Sequence, residues 1–287
     1  MQIHGMSEDG SKIVLHRFDG GVECTRYDDD AALPIKSLLV VDVETTGVDV
    51  LDDEIIEFAA AGLQYTEDGR IIKHVETVSW FQDPGRPIPE VVVQLTGITD
   101  AMVEGQQIPN AAARLLRNAD LIISHNAAFD WAFCRRRWPD AVDGKLWGCS
   151  LKQIDWSGFG FPAARQEILT RYHGFFYDAH RATIDVEALV KLLQMRPNQT
   201  SPNYLAQIIT YLQKPRFRIR AVGTPFAAKD ELKQRAYRWD ADRKVWWSSC
   251  SQDELDAEKA WLKDLYDRYG CRRNPDIHPI DPRNQWA

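Results

Sequence analysis

The spacing of apolar residues predicts a mixed α/β domain in the first two-thirds of the chain. Three segments rich in apolar and β-branched residues, which open at Leu38, Ile55 and Ile71, are typical of strands. The second and third are predicted to pair as a meander beside the first. Apolar residues three and four positions apart predict helices over 109–117, 131–137 and 183–194, with a short buried strand over 121–124. This alternation indicates a partly parallel sheet covered by helices.

The pattern divides the chain into five segments. A β-rich extension precedes the α/β domain and is predicted to be a surface hairpin with strands over 12–18 and 22–27. A linker with a docking helix over 204–213 follows the domain. A small α+β module comes next, and the final segment, which contains Pro and Asn, is predicted to be a loose tail. In order, the segments are 1–35, 36–195, 196–214, 215–271 and 272–287.

Composition narrows the class of protein. The 287 residues are 44% hydrophobic and 27% charged, an ordinary balance for a globular protein. No apolar run approaches the roughly 20 residues of a membrane-spanning helix, and the polar start lacks the apolar core of an export signal. The five cysteines form no C-x-x-C pair, which argues against a disulfide framework or a thiolate zinc site. We therefore expect a cytoplasmic protein without a membrane partner.

Candidate chemistry begins where the first strand ends. Asp42 and Glu44 are two residues apart, so on a strand they face the same way and can converge on a hard cation such as Mg²⁺ or Mn²⁺. The same D-x-E spacing recurs at residues 52/54, 185/187 and 256/258, but in polar segments that indicate solvated side chains. Only the first pair follows a buried apolar run, where an unpartnered charge is costly.

Two further acidic residues follow apolar or helical segments. Asp130 lies near the start of a helix, where an acidic group is favoured and can still reach a metal. Asp185 lies in the first turns of another helix, and His180 precedes it in a loop. We interpret His125 as structural and Asn126 as a helix cap or turn former.

The order D-x-E, N-x-x-F-D and H-x4-D resembles the DEDDh family of 3′→5′ exonucleases, which includes the polymerase III epsilon proofreading subunit. The resemblance covers about residues 37–195. The matching segments are Val41-Asp-Val-Glu-Thr-Thr-Gly47, Gln94-Leu-Thr-Gly-Ile-Thr-Asp100, Ser124-His-Asn-Ala-Ala-Phe-Asp130 and Ala179-His-Arg-Ala-Thr-Ile-Asp185. It implies a ribonuclease-H-like mixed sheet with flanking helices.

The resemblance also implies a role for each matching residue. His180 is expected to be the general base, and two divalent ions, Mg²⁺ or Mn²⁺, are expected as cofactors. The expected metal-binding carboxylates are Asp42, Glu44, Asp130 and Asp185. The residues expected to hold the terminal nucleotide are Thr45, Thr46, Gly47, Leu95, Thr96 and Phe129. The implied reaction releases nucleoside 5′-monophosphates from a free 3′ end.

Three functions are compatible with these motifs. We favour a DNA exonuclease acting on single-stranded or frayed 3′ ends in repair, processing or defence. An RNA-trimming exonuclease is the alternative in the same class, because the motifs do not read the 2′-hydroxyl. A proofreading or adaptor subunit bound to a polymerase or repair complex is the alternative from another class.

The overall charge of −7 is unevenly distributed. Residues 1–195 carry 18 basic and 30 acidic side chains, a net of −12, whereas residues 196–287 carry 17 and 12, a net of +5. In the small module, Arg216, Arg218 and Arg220 share one face if extended, and Trp246 lies among basic residues. Arginines can neutralise phosphates and exposed rings can stack on bases. We therefore expect nucleic-acid contacts in this module. The alternative is that its tryptophans only form the apolar core of a small domain.

Overall fold

The chain forms two units in the computed structural model, which describes residues 11–24 and 33–286. Unit 1 holds the described residues up to Tyr211 together with Trp286, and unit 2 holds Leu212–Gln285. The predicted linker and docking helix therefore belong largely to unit 1, because Tyr204, Leu205 and Ile208 are fully buried there. No helix among the described residues is long and apolar enough to cross a membrane.

A five-stranded mixed sheet forms the centre of unit 1. Its order is β4-β3-β2-β5-β6, with β4, β3 and β2 antiparallel and β2, β5 and β6 parallel. This confirms the predicted α/β class, the meander and the partly parallel sheet. The strands of unit 1 are β1 (His16–Arg17), β2 (Lys36–Thr45), β3 (Ile55–Tyr65), β4 (Ile71–Phe81), β5 (Leu121–Ser124), β6 (Trp147–Cys149) and β7 (Phe175–Phe176).

Helices cover the sheet because its inner strands are apolar on both faces. Strand β3 is buried without interruption from Ile55 to Ala61, so both of its faces must be shielded from water. The helices are α1 (Glu90–Thr96), α2 (Asp100–Val103), α3 (Ala111–Asn118), α4 (Ala127–Arg137), α5 (Pro139–Val142), α6 (Gln166–Tyr172), α7 (Ala182–Gln194) and α8 (Tyr204–Gln213). Helices α3 and α4 share an apolar cluster with Val41 and Val43 of β2, and α7 packs on β2 and β3.

The predicted N-terminal hairpin is not the pairing that the structure shows. His16 and Arg17 form β1, which pairs in parallel with Phe175 and Phe176 of β7. The reason is a better apolar partner, since Phe18 is buried with its ring centroid 5.8 Å from that of Phe175. Residues 22–24 are not strand, and residues 25–27 of the predicted second strand lie outside the described residues.

Unit 2 is a four-stranded antiparallel sheet with helices, as the α+β prediction requires. Its order is β11-β8-β10-β9. Its last helix begins with a capping box, because Glu254 accepts hydrogen bonds from the backbone N–H and the hydroxyl of Ser251, both over 2.8 Å. The elements are β8 (Arg216–Ala221), a 3₁₀ turn (Phe226–Ala228), α9 (Lys229–Gln234), β9 (Arg238–Asp240), β10 (Val245–Ser251), α10 (Gln252–Tyr269) and β11 (Asp276–Ile280).

The predicted loose tail is wrong. Residues Asp276–Ile280 form β11, which pairs along β8 with Ile277 opposite Ile219. Trp286 then packs in unit 1, where its indole N–H donates to the carbonyl of Trp147 over 2.8 Å. Prolines such as Pro279 are typical of irregular segments, but an edge strand such as β11 tolerates proline.

Candidate active site

Two carboxylates project from the end of strand β2. Asp42 and Glu44 alternate with Val41 and Val43, which belong to the apolar cluster with α3 and α4. Successive side chains of a strand point to opposite faces, so the carboxylates lie on the other face, where α7 packs. The predicted buried strand thus delivers both acids to one side of the sheet.

Asp185 of helix α7 joins this pair. One carboxylate oxygen of each of Asp42, Glu44 and Asp185 lies within 4.8 Å of the other two. Two hydrogen bonds orient Asp185. The Tyr177 hydroxyl donates to its Oδ1 over 2.8 Å, and the backbone N–H of Arg181 donates to its Oδ2 over 2.9 Å. Three of the four predicted metal ligands therefore form one cluster.

Asp130, the fourth predicted ligand, lies beside this cluster in the first turn of α4. Its side chain is buried, and its Oδ1 accepts a hydrogen bond of 3.1 Å from the backbone N–H of Val43. Its charge is among those that raise the pKa of Asp42. One oxygen is thus directed to the backbone of β2.

The carboxylates resist ionisation together. Burial raises the pKa of Glu44 to about 8, with the charges of Asp185 and Glu57 adding to the rise. Burial likewise raises the pKa of Asp130 to about 7 and that of Asp42 well above its ordinary range. A crowded set of oxygen donors that gains protons without a cation fits hard divalent ions such as Mg²⁺ or Mn²⁺.

The raised pKa of Glu44 predicts a pH-dependent effect of the substitution E44Q on stability. In the metal-free protein, Glu44 ionises near 4.5 when unfolded and near a pKa of about 8 when folded. Between these values the unfolded state releases a proton that the folded state keeps, so this stabilising contribution is lost as pH rises. One unit of pKa shift corresponds to about 1.4 kcal/mol. The whole shift from 4.5 to about 8 corresponds to at most about 5 kcal/mol. In urea unfolding with EDTA, we expect E44Q to be more stable than wild type by up to this amount at pH 8 and to equal it at pH 4.

A matched control is E54Q, because Glu54 is half exposed and forms a 2.7 Å ion pair with Arg136. This variant is expected to gain no stability at pH 8. An E44Q protein that is no more stable than wild type at pH 8 would contradict the crowding of charge in the cluster.

His180 lies in the loop before α7, exposed to solvent, with a backbone φ of 68°. Left-handed backbone is uncommon for residues other than glycine, although histidine adopts it more often than most. Burial raises the pKa of Asp185, whereas the hydrogen bond from Tyr177 and the charge of His180 oppose that rise. The imidazole therefore lies within electrostatic reach of the cluster.

A comparison with protein families decides what kind of domain this is. The RNase_T family model, described as "Exonuclease", matches residues 39–193, more than half of the chain. The chain belongs to this exonuclease family. The match includes all four carboxylates and His180.

Curated relatives of the exonuclease domain are bacterial polymerases. The protein "DNA polymerase III PolC-type" of Listeria innocua is 30% identical over 187 residues, 63% of this chain and 12% of that protein. Its counterpart in Lacticaseibacillus paracasei is 34% identical over 193 residues, 65% of this chain and 13% of that protein. The chain thus spans about an eighth of the length of these relatives.

Solved structures share the fold. Escherichia coli exonuclease I in complex with single-stranded DNA, in a zinc-bound form, superposes with a TM-score of 0.53 at 17% identity, over 83% of this chain and 68% of that chain. The complex of the same enzyme with a dA16 oligonucleotide gives 0.51 at 16% identity, with the same coverage. The expected ribonuclease-H-like architecture of the exonuclease domain is therefore confirmed.

The segment after Glu44 is shaped by an internal network. The Thr46 hydroxyl donates to Asp53 over 2.9 Å and accepts 3.0 Å hydrogen bonds from Arg86 and from the backbone N–H of Glu54. A Cβ on Gly47 would lie 2.3 Å from the Asp53 carboxylate. The approach of Asp53 therefore leaves no room for a side chain at Gly47, and the Thr46 hydroxyl is hydrogen-bonded within the loop. Contacts of Thr46 and Gly47 with a nucleotide stay predictions.

In the second predicted substrate segment, Leu95 and Thr96 have different surroundings. Leu95 on α1 is 56% exposed, which suits contact with a base or sugar. The Thr96 hydroxyl instead donates to the carbonyl of Val92 over 2.9 Å and accepts from the backbone N–H of Ile98. Thr96 thus serves the end of α1. Roles of Leu95, of Thr45 and of Phe129 in holding a nucleotide stay predictions.

Phe129 lies on α4, one residue before Asp130. It is half-buried, and its ring centroid lies 4.9 Å from that of Phe133. Thr45 is buried at the end of β2, and its hydroxyl donates to the carbonyl of Gly47. Thr45 follows Glu44 in the sequence and Phe129 precedes Asp130, so both lie beside candidate metal ligands. Neither side chain is fully exposed.

Sequence reasoning missed a fifth carboxylate and two polar supports. Glu57 of β3 is buried directly opposite Glu44, and its carboxylate accepts a 2.5 Å hydrogen bond from Ser79. Its signal was a single acid inside the apolar run that opens β3. Gln166 donates to the hydroxyl of Tyr177 and to the carbonyl of Asp185, both over 2.8 Å. Gln166 and Tyr177 lie in segments without a recognised motif, so their contacts with Asp185 could be found only from the fold.

His125 and Asn126 are structural, as interpreted from the sequence. The ring nitrogens of His125 lie 2.8 Å from the Ser150 hydroxyl and 2.8 Å from the carbonyl of Ala164. Burial lowers the pKa of His125 to about 4, so the ring is neutral at physiological pH. Asn126 precedes α4 with a left-handed φ of 86°, a conformation that asparagine tolerates.

The candidate contacts in unit 2 fall on two faces of its sheet. Ile219 packs in the apolar core with α10, so Arg216, Arg218 and Arg220 point to the opposite face. Trp246 is partly buried and packs against that core, on the face opposite the arginines, so its predicted nucleic-acid contact would not share their face. Trp247, one residue later, lies opposite Arg220 and occupies the arginine face.

Proposed function

We propose that the exonuclease domain is a metal-dependent 3′→5′ exodeoxyribonuclease of the DEDDh type. It removes nucleoside 5′-monophosphates one at a time from single-stranded or frayed 3′ ends of DNA. The observation that supports this most is the convergence of oxygens from Asp42, Glu44 and Asp185 within 4.8 Å of one another. The names of the relatives, which are DNA polymerases, favour DNA over RNA.

Four carboxylates would hold two divalent cations in this proposal: Asp42, Glu44, Asp130 and Asp185. When bound, such ions supply charge neutralisation at the scissile phosphate and lower the pKa of water. An all-oxygen donor set selects Mg²⁺ or Mn²⁺ over softer metals. The raised pKa values of these acids mean that protons must leave before a cation binds.

The residues of this chain position the groups that react. His180 takes the proton from the attacking water, and its exposed loop leaves the imidazole free to meet substrate. Tyr177 and the backbone of Arg181 keep Asp185 directed into the cluster. Leu95 offers an exposed apolar contact to the terminal nucleotide.

A digestion assay tests the proposal. Oligonucleotides labelled at the 3′ or the 5′ end are incubated with the full-length protein in Mg²⁺, in Mn²⁺ or in EDTA. A 3′→5′ exonuclease releases the 3′ label at once as a mononucleotide and shortens the 5′-labelled strand stepwise, only with metal. Immediate release of a 5′-terminal mononucleotide, or internal cuts, would overturn the proposed polarity or mode.

Two further arms separate the alternatives. An RNA strand of the same sequence is expected to be digested more slowly, and faster digestion of RNA would favour the trimming function. A duplex with a mismatched 3′ end tests the proofreading function, which the similarity to DNA polymerases favours. Preference for the mismatch would support association with a polymerase.

Mg²⁺ is also expected to raise the melting temperature of the protein. Only the folded chain assembles the carboxylates, so a cation at 100 times its dissociation constant stabilises by about 2.7 kcal/mol. The variant D185N lacks one of the three clustered acids and is expected to lose most of this shift. Differential scanning fluorimetry with and without EDTA measures both. An equal shift in D185N and wild type would place the cation elsewhere.

A further inference from the structure

One face of the sheet in unit 2 is built from arginines around a tryptophan. The strand register places Arg238, Trp247, Arg220 and Asp276 in one row across the four strands. The neighbouring row is Ser249, Arg218 and His278. Residues directly opposite one another in antiparallel strands share a face.

The other face is already occupied by the core of unit 2. Ile219 and Ala221 pack there with Leu255 and Leu262 of helix α10. Alternation along β8 therefore turns Arg218 and Arg220 away from α10. The arginine face, defined by Arg218, Arg220, Arg238, Trp247 and Ser249, is distinct from the packed face.

Positive charge on the arginine face exceeds the negative charge available to it. Arg220 pairs with Asp276 over 3.2 Å. Arg218 instead donates to the carbonyl of Gln285 over 3.3 Å, and its buried Nε has no hydrogen-bond partner among the described residues. Burial, followed by the charges of Arg220 and Arg243, lowers the pKa of Arg218, whereas Asp240, which pairs with Arg243 over 3.2 Å, opposes that shift. A half-buried guanidinium beside like charges favours an added anion.

An aromatic ring accompanies these charges. The guanidinium carbon of Arg218 lies 5.3 Å from the ring centroid of Trp247, within the range of a cation–π contact. Ser249 adds a hydroxyl beside Arg218 in the register. Alternate residues of a strand are roughly 6.7 Å apart, so β8 presents its arginines as a regular row. Regular cations with an interleaved ring suit a polymer that carries both phosphates and bases.

We propose that the arginine face binds single-stranded nucleic acid, with Arg218 and Arg220 on phosphates and Trp247 stacked on a base. Sheet faces that combine a basic groove with aromatic rings bind single strands without sequence preference. The inference deepens the proposed function, on which it rests, because it assigns a second contact site for the same substrate class. A protein partner with an acidic surface is the competing occupant, which could pair with the arginines but offers no base to stack on Trp247.

Binding is measured without metal, so that hydrolysis does not interfere. Full-length protein in EDTA is titrated against a 5′-fluorescein dT20 strand, with anisotropy read at several NaCl concentrations. For R218Q/R220Q we expect at least tenfold weaker binding at about 0.1 M salt. The slope of log K against log salt should fall by about 1.4, because each phosphate contact on a single strand contributes about 0.7.

Matched variants separate a site from a general charge effect. The control K259Q/K263Q removes two positive charges from α10, on the packed side of the sheet, where both lysines are exposed. It should bind dT20 within about twofold of wild type. W247L should weaken binding by roughly 5- to 100-fold, whereas W247F keeps a ring and should bind near wild type. Melting curves confirm that each variant is folded.

Several results would overturn the inference. They are unchanged binding by R218Q/R220Q, an equal loss in K259Q/K263Q, or tighter binding of a 20-bp duplex than of dT20. An rU20 arm establishes whether the face distinguishes DNA from RNA, and binding of either supports it. Binding in EDTA does not depend on hydrolysis. Wild type that binds dT20 in EDTA but digests no strand in Mg²⁺ or Mn²⁺ would therefore refute the proposed function and leave this inference standing.

Discussion

The substitution D42N is expected to reduce hydrolysis by at least about 10³-fold while the protein stays folded. Asp42 lies at the centre of the cluster, where Asp130, Asp185 and Glu44 all act on its pKa. Asn keeps the shape but removes the charge that holds a cation, and metal stabilisation of a transition state is worth several kcal/mol. Initial rates on 3′-labelled DNA in Mg²⁺ measure the effect.

The control for D42N is D52N, an exposed aspartate with the same D-x-E spacing. D52N is expected to retain wild-type rates. The melting temperature of metal-free D42N should not fall, because the substitution relieves repulsion between carboxylates. More than a tenth of wild-type activity in D42N would remove Asp42 from the metal site.

The substitution H180N is expected to lower kcat by about 10²- to 10⁴-fold with little change in KM, the range typical of a lost general base. Asparagine is the informative replacement because it tolerates the φ of 68° at this position. The loop that carries Arg181 and Asp185 should therefore keep its conformation. In single-turnover measurements, the pH–rate profile of H180N should lack the limb that reports ionisation of the general base.

Two companions of H180N separate chemistry from backbone effects. H180G accommodates the same φ without a side chain, and added imidazole should restore part of its activity. H16N removes an exposed histidine of β1 and should leave the rate unchanged. Wild-type kcat in H180N would exclude His180 as the base.

Local signals predicted much of the fold. Strands β3 and β4 begin at the predicted Ile55 and Ile71, and α8 spans the predicted 204–213. The start of α10 is set by an equally local signal, its capping box. Each is governed by residues within one element, such as Ser251 and Glu254. These features can therefore be predicted without knowledge of distant partners.

Long-range pairing explains what sequence reasoning missed. Strand β1 exists because Phe18 meets Phe175, about 150 residues away in the chain, and β11 exists because β8 accepts it. A two-residue strand has no periodicity to detect. The choice between Trp246 and Trp247 depends on the parity of β10 relative to the core, which a one-residue shift reverses.

In the acidic site too, local motifs predicted some residues, whereas others depend on long-range pairing. Asp42, Glu44 and Asp185 come together as the motifs predicted. Glu57 was missed because its importance comes from the antiparallel register opposite Glu44. The hydroxyls of Thr46 and Thr96 make local hydrogen bonds that the motifs did not predict. Contacts of these two residues with substrate stay predictions.

The pairing of β11 with β8 bears on how the chain can be shortened. A truncation at residue 271 looks harmless from the sequence, yet it would strip β8 of one of its two neighbours. The exposed N–H and C=O groups of Arg216–Ala221 would then form an open edge. Such an edge recruits strands from other molecules, and arginines on one face alone do not block that pairing. We therefore expect a chain truncated at residue 271 to aggregate more readily than one that keeps β11.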